Sequence, residues 1–120
     1  MSKILRIEGL TKKFIKKSLF SSESNDITAV DKVDFSLNRG EILAIAGQSG
    51  SGKSTIAKLI LRAIEPDSGK IFYNNEEIKN NSDKLKKFRM KCQMVYQDPY
   101  DSINPRMTIQ DIVNEPLEIH

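Results

Sequence analysis

Apolar and polar residues alternate one by one through Leu5, Arg6, Ile7 and Glu8, the period of a half-buried β-strand. The alternation returns at Val33, Phe35 and Leu37, with Lys32, Asp34 and Ser36 on the other face, and Asn38, Arg39 and Gly40 supply a turn. Glu41 to Ala46 differs: its apolar residues are continuous, which predicts a short strand covered on both faces, as in an α/β sheet. From Lys53 onward Ile56, Leu59, Ile60 and Ala63 recur at the spacing of one helix face, and Pro66 to Gly69 predict its stop. Ile71 to Tyr73 reads as a strand closed by the turn pair Asn74 and Asn75, and Ser82 as the N-cap of a helix that turns Leu85 and Phe88 inward and lysines outward. Gln93 to Gln97 is a further candidate strand. Beyond the break at Asn104 and Pro105, Thr108 caps a last helix with Ile109, Ile112 and Val113 on one side, which Pro116 ends or kinks. Residues 15–26, rich in Ser, Asn and charge and without periodicity, predict an exposed, flexible loop.

This order of strands, then strand, loop and helix, then mixed elements is that of an α/β protein. At 120 residues, 38% hydrophobic and 29% charged, the chain has room for one domain at most, and its unbiased composition excludes collagen, disulfide scaffolds and low-complexity tails. A single cysteine, Cys92, permits no internal disulfide and points to a reducing compartment. The longest uninterrupted aliphatic run, Ile42 to Ala46, is far short of the roughly 20 residues that span a bilayer. The net charge of +3 conceals a basic start, with six bases against Glu8 in residues 1–17, and an acidic end, with Arg106 against five carboxylates from Asp98 to His120. A second basic run, Asp83 to Lys91, holds five bases and one acid. A nucleic-acid reading expects a clustered patch and preferably a recognisable binding motif; no such motif is present, and a solvated helix face explains the same residues.

Chemistry is concentrated between the continuous apolar strand and the amphipathic helix. Gly47, Gln48, Ser49, Gly50, Ser51, Gly52, Lys53, Ser54 and Thr55 satisfy G-x-x-x-x-G-K-S/T at every fixed position, in the strand–loop–helix context that this motif requires. A chance match in a chain of this length is on the order of one in a few hundred. A di- or triphosphate is wrapped by backbone N–H groups, and the glycines permit the close approach and positive φ values that such wrapping needs. The helix beginning near Lys53 offers unsatisfied N–H groups and its positive dipole end. Lys53 brings a full charge to the β and γ oxygens, the Ser54 hydroxyl is placed to ligate Mg²⁺, and Thr55 can reach the α-phosphate region. A glycine-rich turn without ligand is the bland alternative, and the dinucleotide pattern G-x-G-x-x-G fails because the glycines stand at 47, 50 and 52.

The flanking stretch from Ile27 to Ile78 resembles the ATP-binding subunit of ABC transporters, in which the phosphate-loop strand follows an antiparallel β-subdomain and the next helix ends in P-x-S-G. The resemblance implies a P-loop NTPase core with that N-terminal subdomain. It implies that Phe14, in Leu10-Thr11-Lys12-Lys13-Phe14, stacks on adenine, the alternative being a core residue of the β-subdomain. Gln97, in Met94-Val95-Tyr96-Gln97-Asp98-Pro99, is similar to the Q-loop, whose amide ligates Mg²⁺ or holds the attacking water while the loop moves against a membrane partner. Lys53 and Gln97 are thus the candidates for catalytic roles, and Ser54 and Gln97 for metal ligation. The run from Gln97 to His120 resembles more narrowly the oligopeptide, dipeptide and nickel branch of ABC importers, and its F-type ATPase subunit; Asp101 and Ile103 depart slightly from that pattern.

The family's later parts, the L-S-G-G-Q signature, a strand ending in Asp-Glu and a switch histidine, do not occur, and the terminal His120 is a poor switch. The resemblance therefore implies a partial nucleotide-binding domain over residues 1–120, from the β-subdomain through the Q-loop, truncated before the signature and the catalytic carboxylates. Such a chain is expected to bind ATP and Mg²⁺ without efficient hydrolysis, to expose core surface and to be marginally stable. Implied partners are a second ABC ATPase subunit in a head-to-tail dimer and the permease subunits of an importer, at the cytoplasmic face of the membrane. A non-transport ABC component, such as an accessory protein of carbon-phosphorus lyase, and a catalytically silent nucleotide-binding fragment remain open. A P-loop kinase expects lid arginines, and the Q-D-P and N-P-R-M-T runs argue against it. Met90, Met94, Met107 and Cys92 read as apolar filler, and Asp98 and Asp101 as partner contacts or solvated carboxylates.

Overall fold

The structure is a computed structural model that describes residues 2–17, 24–48, 50–80, 82–98, 100 and 103–119. The alternating N-terminal residues form β1 (Lys3–Lys17), which pairs antiparallel with β2 (Ser24–Asn38). The opposite edge of β1 takes β3 (Ser68–Tyr73), also antiparallel, and the two-residue β4 (Glu76–Glu77) folds back on β3. Asn74 and Asn75, at φ 48° and 65°, make the left-handed two-residue turn between them, as the sequence predicts. The strand order is β2-β1-β3-β4.

The central strand is bulged. Its register against β2 slips between Ile7 and Leu10 and again on either side of Lys12. Side chains take over the bonds that the slips remove: Gly9 donates its N–H to Asp34 Oδ1 at 2.7 Å, and the buried Thr11 hydroxyl accepts from the Lys32 N–H at 3.1 Å. Strand β3 enters so close to this bulge that a Cβ on Gly69, at φ +99°, would stand 2.6 Å from the Gly9 carbonyl oxygen, which restricts the position to glycine.

Helix α1 (Lys53–Ile60) lies on this sheet and buries Ile56 and Leu59 among Ile7, Leu10, Val30 and Ile71. A second cluster joins Ile78 to Leu85 and Phe88 of helix α2 (Asp83–Lys91), with Ile60 packed against both. The Ser82 hydroxyl caps α2 by accepting from the Leu85 N–H at 3.1 Å, and the rings of Tyr73 and Phe88 meet at 5.1 Å, tilted by 60°.

Four expectations are corrected. First, α1 stops at Ile60, well before Pro66, leaving Ala63 outside the helix and exposed. Arg62 turns left-handed at φ 57°, and the N–H groups of Arg62 and Ala63 fold back to the carbonyls of Leu59 and Lys58 at 3.0 and 2.9 Å. The guanidinium of Arg89, on α2, then caps the free carbonyls of Leu61 and Arg62 at 3.1 and 3.0 Å. That stop is tertiary, and periodicity along α1 carries no trace of it.

Second, 41–46 and 93–97 are not strands. A strand exists through its ladder; both edges of β1 are already taken, and no described segment pairs with either stretch. Far from being covered on both faces, Ile42 is 95% exposed and Val95 94%. The radius of gyration, 16.8 Å, exceeds the roughly 14 Å of a compact chain of this length.

Third, 15–17 and 24–26, expected in the loop, extend the hairpin, with Ile15 opposite Asp26 and Lys17 opposite Ser24. Ladder bonds are made by the backbone and do not require an apolar face. Residues 18–23 lie outside the described residues. Fourth, of the two outcomes expected at Pro116, an end to the helix does not occur: helix α3 (Ile109–Ile119) continues through it. Its cap is as expected, the Thr108 hydroxyl accepting from the Asp111 N–H at 3.1 Å, but no residue of α3 is buried, so its apolar side has no covering element among the described residues. No described helix is long and apolar enough to cross a membrane.

Cys92 packs against the Phe88 cluster, and burial pushes its thiol pKa up. The neutral thiol is therefore the favoured folded form. Its contribution to stability is present below the unfolded-state pKa and lost as pH rises through the folded value. At pH 8, Cys92 should react with a disulfide reagent more slowly than glutathione does, and unfolding in denaturant should abolish the difference. A native rate equal to that of the free thiol would contradict this placement.

Candidate functional site

The segment from Gly47 to α1 closes on itself. The Ser51 N–H donates to the Gln48 carbonyl at 3.1 Å, and Gly52, at φ +96°, turns the chain into α1, whose first intrahelical bond runs from the Ile56 N–H to the Gly52 carbonyl at 2.9 Å. A Cβ at Gly52 would stand 2.2 Å from the carbonyl oxygen of Ala29 on β2, so the loop backbone lies directly against that strand. Gly52 has no side chain to cap the helix, and the first turn contains no acid. The leading amides and the positive end of the helix dipole are left to an incoming anion.

Lys53 folds back over the loop. Its ammonium donates to the carbonyls of Gly47 and Gln48, the latter at 2.9 Å, with the Ser51 hydroxyl at 3.4 Å. Carbonyls hold the charge over the opening without neutralising it, so it stays available to a phosphate.

Above the loop opens a cavity of about 560 Å³. Gly50, Ser51, Gly52, Lys53, Ser54 and Thr55 form one side, Phe14 from β1 and Ile27, Thr28 and Ala29 from β2 form another, and Gln97 completes the lining. The structure thus brings together eight of the residues singled out in the sequence. Gly47 and Gln48 stand behind the lining and contribute the carbonyls that hold Lys53. Ser49, Asp101 and His120 lie outside the described residues. Phe14 is 40% exposed and belongs to neither buried cluster; its side chain faces this cavity.

The wall formed by Ile27, Thr28 and Ala29 escaped the sequence reading. Ile27 is the cross-strand partner of Phe14, so both reach the cavity at one level of the hairpin. The only signal was that pairing, and the register slips near Lys12 hide it from residue counting. Ser54 and Gln97 line the same space, and a hydroxyl and an amide oxygen are hard donors of the kind that Mg²⁺ accepts. Two neutral ligands suit that ion only where phosphate oxygens and waters fill its remaining positions. Among the described residues no group of three or more His, Cys, Asp or Glu side chains is arranged to hold a metal alone.

Residues 30–118 match the ABC transporter family. The chain belongs to the ABC transporter family. It is 43% identical over 120 residues to the oligopeptide transport ATP-binding protein AppF of Bacillus subtilis (strain 168), covering 98% of this chain and 36% of AppF. It is 40% identical over 119 residues to the glutathione import ATP-binding protein GsiA of Escherichia coli (strain K12), covering 98% of this chain and 19% of GsiA. Among solved structures, the dimeric structure of MJ0796, a bacterial ABC transporter cassette, superposes with a TM-score of 0.75 at 28% identity, covering 95% of this chain and 47% of that one. A post-hydrolysis state of MJ0796 bound to ADP and Pi gives a TM-score of 0.73 at 27% identity, with the same coverage. The chain spans about a third of the length of AppF, and the ABC-family fold it shares with MJ0796 is the α/β one expected from its sequence.

Gly52 is the position where this ABC-family site tolerates least. Gly52→Ala combines a left-handed backbone with a collision against Ala29, and should destabilise the chain by about 1–3 kcal/mol from backbone strain alone. Chemical denaturation would show the lowered midpoint, and an unchanged midpoint would refute the close packing of loop on strand.

Proposed function

We propose that the chain binds Mg·ATP as the nucleotide-grasping part of an ATP-binding subunit of a peptide-type ABC importer. The observation that carries the proposal is the joint lining of one cavity by the phosphate loop, Gln97 and the Phe14–Ile27 wall. The loop amides and Lys53 take the β- and γ-phosphates, Thr55 the α-phosphate region, and the faces of Phe14 and Ile27 the purine ring. Ser54 and Gln97 would hold Mg²⁺, which when bound screens the phosphate charge. The similarity to AppF and GsiA supports a peptide or peptide-like cargo for the system, and the MJ0796 dimer supports pairing with a second ATPase subunit. In the assembled importer, permease subunits bring this domain to the cytoplasmic face of the membrane.

Hydrolysis is a separate matter from binding. Attack on the γ-phosphate requires a group that orients water and takes up its proton. Among the described residues that line the cavity there is no carboxylate and no imidazole, and Gln97 can orient water but cannot act as a base. The chain by itself therefore turns ATP over negligibly.

Titration with a fluorescent ATP analogue tests this. Magnesium-dependent binding should be present in the wild type and weakened about tenfold to a hundredfold in Lys53→Ala, the value of a lost charge-assisted bond. Phosphate release by either protein should stay at background. Equal binding by wild type and variant would overturn the phosphate cradle.

A further inference from the structure

The residue that places Phe14 lies far from it in the chain. Ladder pairing between β1 and β3 ends at Thr11 opposite Ser68, and the register with β2 slips on either side of Lys12. Phe14 therefore stands just past the point where the sheet controls its strand from both edges. Asp67, immediately before β3, takes over on that side. Its N–H donates to the Thr11 carbonyl at 2.9 Å, its Oδ2 accepts the Lys13 N–H at 2.7 Å, and its Oδ1 lies 3.6 Å from the Lys12 ammonium. That ammonium in turn stands 5.6 Å from the centroid of the Phe14 ring. The Lys12 side chain is only 17% exposed, packed between the half-exposed Asp67 carboxylate and the ring.

We infer that Asp67 and Lys12 are positioning residues for the base site: Asp67 fixes the backbone one residue before Phe14, and the Lys12 ammonium occupies one face of the ring and leaves the other to the purine. The inference rests on the proposed role of Phe14 and deepens it. A ring already held in orientation loses less freedom when the base stacks, so the pair raises the share of affinity that comes from the base and leaves the share from the phosphates untouched. Asp67 stands immediately before β3, so the same carboxylate ties the base site to the start of that strand.

The test compares the affinity of the full chain for Mg·ATP with that for Mg·tripolyphosphate, which has no base. Wild type, F14A, D67A, K12Q and K12R are titrated with both. The expected result is an ATP-to-tripolyphosphate affinity ratio that collapses in Phe14→Ala, falls about threefold to fivefold in Asp67→Ala and Lys12→Gln, and returns in Lys12→Arg, whose guanidinium keeps both the ion pair and the ring contact. Tripolyphosphate affinity should stay constant throughout. A ratio that falls in Phe14→Ala but holds in Asp67→Ala and Lys12→Gln overturns the inference and leaves the base site standing. Equal weakening of both ligands in Asp67→Ala also overturns it, since that is loss of structure and not of positioning. A ratio unchanged in Phe14→Ala removes the base site itself, and the inference with it.

Discussion

The site depends on one steric constraint, the approach of the Gly52 backbone to the Ala29 carbonyl, which leaves no room for a side chain. This contact seats the phosphate loop on β2 and sets the distance between the loop and the hairpin wall. It is held from behind by the core: Ile56 and Leu59 anchor α1 against Ile7, Leu10 and Ile71, each such side chain contributing about 1.5–3 kcal/mol on burial. Sheet holds helix, helix holds loop, and the loop's left-handed glycine sets the direction in which the first amides point.

Around that frame the electrostatics are simple. The overall charge of +3 is spread over many solvated lysines and has little bearing on the cavity. Inside, Lys53 is the cation among the described lining residues, and it rests on carbonyl oxygens that a phosphate can outcompete. An anionic ligand therefore meets a preformed, partly dehydrated charge and a helix end, with no carboxylate to repel it.

What the sequence revealed and what it hid divide along the range of the interactions. The loop motif from Gly47 to Thr55 was legible because its residues are consecutive, and the Ser82 and Thr108 caps because a cap bonds within three residues of itself. The stretches 41–46 and 93–97 carry the right residues for strands, yet pattern alone cannot supply the neighbouring strand that a ladder needs, and none of the described residues pairs with them. The early end of α1 depends on Arg89, and the wall at Ile27 on a cross-strand register broken by bulges. In both cases the deciding atom is more than ten residues away, where periodicity gives no information.

In the proposed function, the loop and the β1–β2 hairpin form the two walls of one nucleotide cavity. Amide hydrogen exchange of the full chain with and without Mg·ATP reads both walls in a single experiment. Exchange should slow over residues 50–55 and, at the same nucleotide concentration, over 12–14 and 27–29, with α2 and α3 unchanged. Protection confined to other segments, or no protection at saturating nucleotide, would contradict it.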